Sequence, residues 1–133
     1  MIKKTKGQIE DAIAKEFAKF YAQTLGIGPK TSRCYILHDM IIIRLKTKLS
    51  MVEEHLLKTE QGIELVKDIR DSLHEAQENQ LINIVKKITG RKIVSSHNDI
   101  STKTGEILQV FILDKNIEDL LEYINDNTSR LRE

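Results

Sequence analysis

Two short clusters hold the residue types best suited to metal ligation or acid–base chemistry, His38-Asp39 and His97-Asn98-Asp99. If the segments carrying them were neighbours, four imidazole and carboxylate groups would converge at one end of a sheet. Zinc takes three or four N, S or O ligands at about 2.0–2.3 Å, and the local spacing guarantees no such set. The favoured reading is turn chemistry: Asp39 forms a turn, while Asp99 and Ser101 hydrogen-bond loop backbone. Cys34, followed by Tyr35, would be a nucleophile only with His38 or His97 as its base. No oxyanion loop, helix N-terminus or flanking signature accompanies it. A free cysteine on a strand is ordinarily a small buried hydrophobe. Ser101-Thr102-Lys103-Thr104-Gly105-Glu106 offers hydroxyls, a lysine and a glycine, but a P-loop opens a helix and this segment precedes a strand. Gly26-Ile27-Gly28-Pro29 follows a helix and enters a strand, so it is no dinucleotide fingerprint. Both read as turns. No catalytic residue, cofactor or metal site is assigned, and the chain is expected not to be an enzyme.

These residues sit in a chain of 133 residues and 15.3 kDa, the size of one domain, taken as 1–133 with fraying ends at 1–5 and 126–133. Hydrophobic residues at 40% and charged residues at 31% exclude a disordered or collagen-like chain. A single cysteine excludes an internal disulfide. Aromatic residues at 5% with no tryptophan, and a pI near 7.8, argue against a nucleic-acid platform. The longest apolar run, Met40-Ile41-Ile42-Ile43, is far short of a membrane span, and no signal peptide is visible, so a cytoplasmic location is expected. Charge is unevenly placed. Residues 1–48 hold ten Lys/Arg against four Asp/Glu, net +6, and residues 49–133 hold eleven against sixteen, net −5. Such a split either guides two copies together or aims the basic half at an anionic surface, unless folding interleaves the halves and cancels it.

The elements that must position these groups follow from periodicity. Ile9, Ile13, Phe17 and Tyr21 recur every fourth residue, predicting a helix over 6–25 that stops at Gly26 and Pro29. Ser32–Leu37 and Met40–Lys46 read as a β-hairpin with His38-Asp39 as its turn; Ile41, Ile43 and Leu45 share its core face. Ser50 and Glu53 form a capping box opening a short helix to about Lys58. Beyond Gly62, an apolar stripe of Ile63, Val66, Ile69 and Leu73 resumes at Leu81, Ile84, Val85 and Ile88, as one long helix or two. Ile93–Ile100 and Ile107–Leu113 make a second hairpin. Both faces of 107–113 are apolar, which marks a strand central in a sheet or covered on both sides. Asn116 caps a last helix with Ile117, Leu120, Leu121 and Ile124. The order α-β-β-α-α-β-β-α specifies an α+β fold, an antiparallel four-stranded sheet packed against helices.

The ordered motifs resemble the bacterial MpsC-like family. Lys6-Gly7-Gln8-Ile9-Glu10, Gly26-Ile27-Gly28-Pro29, Tyr35-Ile36 and Asp39-Met40-Ile41-Ile42-Ile43-Arg44-Leu45 carry the first part. Leu49-Ser50, Glu53, Leu56, Lys58-Thr59-Glu60 and Gly62 continue it. Thr89-Gly90, Lys92-Ile93-Val94-Ser95, His97, Asp99 through Glu106, and Val110-Phe111 complete it over roughly 6–115. Asp99-Ile100-Ser101-Thr102-Lys103-Thr104-Gly105-Glu106 is the most specific stretch. Ser50-Met51 stands where the family has Thr then Pro, and His38 where it has a small residue. The resemblance implies a small cytoplasmic accessory protein of a cation-translocating, membrane-potential-generating system associated with inorganic-carbon (bicarbonate) uptake, peripheral to the membrane through a protein partner. It brings no catalytic residues. Exposed sheet edges point to self-association, a homo-dimer. Asp39, Arg44, His97, Asp99, Thr102, Lys103 and Gly105 are the expected interaction surface, because they combine hairpin-end polarity with the specific motif. A small-ligand or anion-sensing module using Arg44, Lys103 and the loop amides is the second expectation, and nucleic-acid binding a distant third.

Overall fold

Thr5 starts the first helix: its hydroxyl accepts the Gln8 amide while its own amide donates to the Gln8 side chain. In the computed structural model, which describes residues 4–121, this helix, α1, spans Lys6–Leu25. It buries the expected Ile9, Ile13, Phe17 and Tyr21, and Gly26 ends it at φ +78°. Fraying at 1–3 and 126–133 falls outside the described residues, and Thr5 belongs to the ordered cap.

β1 (Thr31–Leu37) and β2 (Met40–Lys46) pair antiparallel from Leu37↔Met40 outward, leaving only His38 and Asp39 in the turn. His38 takes φ +57°, a left-handed conformation that a non-glycine residue adopts only when its surroundings hold it. Here the His38 carbonyl accepts the Glu118 amide at 3.2 Å and the Asp39 carbonyl accepts that of Leu113 at 2.8 Å. The capping box on Ser50 forms with both bonds, but α2 (Met51–Leu56) stops before Lys58. Thr59 ends it by capping α3 (Glu60–Thr89), accepting the Gly62 amide at 3.0 Å. α3 is one helix of 30 residues, about 45 Å long at 1.5 Å per residue. Its buried line corrects the expected stripe. Gly62, Val66 and Arg70 face inward in its first half, followed by Leu81, Val85 and Thr89, whereas Ile63 and Ile69 are exposed.

β3 (Ile93–Ile100) and β4 (Glu106–Leu113) form the second hairpin, and Asn116 caps a final helical segment, α4 (117–121), by accepting the Asp119 amide. Ile124 of that expected helix lies outside the described residues. All four strands share one antiparallel sheet in the order β1-β2-β4-β3. Cys34, Ile36, Ile41, Ile43, Leu45, Ile107, Phe111 and Leu113 line its inner face and pack with α1, α3 and α4 in one core. Phe17 and Phe111 meet edge to face at 6.1 Å. α1 also guards edge strand β1, since Glu10 accepts the Ile36 amide at 2.8 Å and the Ala14 carbonyl accepts the Ser32 hydroxyl at 2.7 Å. β4 is central, as its apolar faces predict. Its outer face, however, is not covered by any helix among the described residues.

Candidate functional site

The ladder places the expected surface residues. Arg33, Arg44, Leu108 and Asp99 are successive Cα partners across β1, β2, β4 and β3. The next row is Tyr35, Ile42, Val110 and His97, and the next is Leu37, Met40, Ile112 and Ser95. Directly opposed residues share a face, so Arg44, Asp99 and His97 lie together on the outer side of the sheet. The loop carrying Thr102, Lys103 and Gly105 borders the charged row. Asp39 does not join them. Its turn abuts Leu113, at the other end of the strands, roughly 20 Å away over a seven-residue strand. The two hairpin tips therefore point opposite ways because β2 pairs antiparallel with β4, and the convergence of His38-Asp39 with His97-Asp99 does not occur. His38 instead faces Glu118, at 3.9 Å, and Lys6 binds the same carboxylate at 2.8 Å. The Lys6 ammonium holds the Glu118 carboxyl below the usual carboxylate range.

The motif loop is built for a backbone junction. Gly105, at φ +72°, brings its carbonyl to Thr47, which donates to it through both its amide, at 2.9 Å, and its hydroxyl, at 2.6 Å. A Cβ on Gly105 would lie 2.5 Å from the Thr47 carbonyl oxygen, so glycine is required twice over. Within the loop, Ser101 accepts the Gly105 amide, Glu106 accepts that of Ser101, and the Thr104 hydroxyl accepts that of Glu106. Three amides that an anion site would want are thus engaged internally. Lys103 is exposed and Thr102 half-buried. Arg44 donates from Nε to Glu106 Oε2 at 2.9 Å on the solvated face.

Sequence reasoning missed what lies behind this loop. Arg70, on α3, donates through Nε and Nη2 to the two Glu53 oxygens at 2.6 and 2.9 Å, and through Nη1 to the Thr47 hydroxyl at 3.2 Å. Its side chain is 5% exposed and that of Glu53 16%. The Arg70 bonds hold the Glu53 carboxyl below its ordinary value, against the opposing effect of burial. Glu53 therefore serves two ends at once, capping α2 and pairing with Arg70. Thr47 relays the contact to Gly105. The capping box was visible in sequence; the second partner had no local signal.

A second polar group crosses the core. Gln109, fully buried on β4, donates to the Tyr21 hydroxyl at 2.6 Å and approaches His74 Nδ1 at 3.1 Å, while its Oε1 has no partner among the described residues. Tyr21 and His74 also line a cavity of about 20 Å³, room for about one water. Burial pushes the Tyr21 phenol up to about 12 and the His74 imidazole below its ordinary value. Cys34 is buried on the inner face of β1, and burial pushes its thiol up to about 12, the inert state of a structural cysteine.

No helix among the described residues is long and apolar enough to cross a membrane. Residues 5–115 match the family model described as the Na+-translocating membrane potential-generating system (MpsC). The chain is 38% identical over 123 residues to the uncharacterized protein YbcI of Bacillus subtilis (strain 168), covering 92% of this chain and 99% of that one. It is 26% identical over 105 residues to the uncharacterized protein YrhF of the same strain, covering 78% and 86%. No solved structure matches it. With the motif loop, the capping box and all four strands inside the matched span, the chain belongs to the MpsC family.

Proposed function

We propose that this protein is a non-enzymatic accessory component of a Na+-translocating, membrane potential-generating system, cytoplasmic and held at the membrane by an integral protein subunit. The family match over 5–115 carries the reading. The ion path belongs to the partner, and this chain contributes a rigid docking arm. That arm is α2 with the first turns of α3. It exposes Met51 (77%), Val52 (68%), Leu65 (48%) and Ile69 (46%), while the buried Glu53–Arg70 pair ties its two helices together and Arg70 reaches Thr47 at the end of β2. Leu65 and Ile69 are one turn apart on the same helix face, an arrangement suited to an apolar groove on another protein. The inorganic-carbon link implied by the sequence resemblance is the system-level role this component would serve.

Affinity capture of the intact chain from membranes of its native host tests this. An integral membrane subunit should be retained, and Leu65→Glu/Ile69→Glu, at exposed positions, should lose it while keeping its circular dichroism spectrum. Retention of soluble proteins alone, or retention indifferent to the double substitution, would overturn it.

A further inference from the structure

The outer face of the sheet is apolar in its middle and charged at one end. Tyr35, Leu37, Met40, Ile42, Leu108, Val110 and Ile112 all point to the side opposite the core. Seven paired rows across four strands about 4.8 Å apart present roughly 450 Å² in projection, the charged end included. Side-chain relief raises the accessible area of that face toward the roughly 800 Å² each partner buries in a standard interface.

The charges choose the occupant. β1 and β2 come from the basic part of the chain, and β4 and β3 from the acidic part, so the sequence asymmetry survives as a left–right gradient across this face. Arg33, Arg44 and Lys46 stand on β1 and β2; Glu106 and Asp99 stand on β4 and β3. Among the described residues, Arg33, Lys46 and Asp99 form no ion pair within the chain. A two-fold axis parallel to the strands, between β2 and β4, carries each strand over its opposite number. β1 then covers β3 of a second copy, β2 covers β4, and every row stays in register. Arg33 faces Asp99 of the other copy and Lys46 faces Glu106, each twice. Ile42 meets Val110 and Met40 meets Ile112. The face is complementary to itself, as an isologous interface requires. We infer that it is the interface of a homodimer in which two sheets stack face to face.

This goes beyond the accessory role, since a monomer could still dock through α2 and α3; failure here leaves that reading standing. The full chain should sediment as a dimer across the micromolar range. Arg33→Glu sets two carboxylates against each other at this contact, and Asp99→Arg sets two guanidinium groups against each other. Either change creates two like-charge contacts per dimer. Each variant alone should self-associate roughly tenfold more weakly. Mixed in equal amounts, they should recover wild-type affinity as a heterodimer, because only the mixed pair restores both contacts. Both positions are exposed, and unchanged melting curves at dilution would show that folding is intact. A monomeric wild-type chain, a dimer indifferent to either reversal, or a mixture that stays dissociated would each overturn the inference.

Discussion

Arg70 occupies a position where helical periodicity asks for an aliphatic side chain, and its acceptors explain why it stays. Two Glu53 oxygens and the Thr47 hydroxyl take three of its donors. Removing one member of such a pair strands the other in a poorly hydrated site, which is worse than never having placed a charge there. Arg70→Met should therefore cost about 3 kcal/mol in urea unfolding. Glu53→Gln added to Arg70→Met should recover part of that loss, since an amide can still accept the Ser50 amide without carrying an unpaired charge. A single substitution as stable as wild type would show the pair to be dispensable. Gly105→Ala is the companion case on the same network. Its Cβ would lie 2.5 Å from the Thr47 carbonyl oxygen at φ +72°, so a loss of roughly 2 kcal/mol or more is expected in the same assay.

Helix α2 is six residues long and buries no residue of its own, so its position depends on α3. Gly62 makes the contact. A Cβ there would lie 1.7 Å from the Leu56 carbonyl oxygen, a separation that backbone movement alone could relieve. Gly62→Ala should raise helix propensity by about 1 kcal/mol in isolation, yet here should detach α2 from α3. Amide hydrogen exchange in 50–58 should accelerate while exchange in β2 and β4 holds, and a uniform change across the domain would contradict this. The same glycine shows what sequence could and could not disclose. Strands were legible because β2 alternates Ile41, Ile43 and Leu45 inward against Met40, Ile42 and Arg44 outward, a pattern no other register satisfies. The inner line of α3 was not, because Gly62 and Arg70 hold two of its buried positions while Ile63 and Ile69 face solvent. An apolar period finds aliphatic side chains; it is blind to a close backbone approach and to a buried ion pair. The surface residues divide likewise. Arg44 and Asp99 were expected on one surface with Asp39, but Asp39 lies at the other end of the strands and the row they share with Arg33 depends on strand order, which local spacing does not encode.

On the acid side of neutrality, His74 and Glu53 make stability depend on pH with one sign. Burial lowers the His74 imidazole below 6.5, so the folded chain refuses a proton that the unfolded chain accepts. Stability then falls as pH drops through about 6.5 toward the folded value, because the unfolded state binds more protons in that interval. Protonation would also remove the Nδ1 lone pair that faces the Gln109 amide. Glu53 acts lower on the scale. Its carboxyl is depressed below 4.5 chiefly by Arg70, so its contribution is present above that value and lost as pH falls through the depressed one. The surface pairs Glu118–Lys6 and Asp114–Arg91 shift the same way but are screened by salt. Acid should therefore destabilise the protein in two stages. The melting temperature should decline as pH drops below about 6.5, and again below about pH 4.5. His74→Gln, which keeps a polar group without a titrating one, should flatten the first decline and leave the second. Arg70→Met should weaken the second and leave the first. Added salt should blunt the acidic decline only where the exposed pairs supply it, since the buried Glu53–Arg70 contact lies out of reach of counterions. A first decline that survives His74→Gln would place the neutral-range titration elsewhere and separate the Tyr21–Gln109–His74 group from the stability of the sheet.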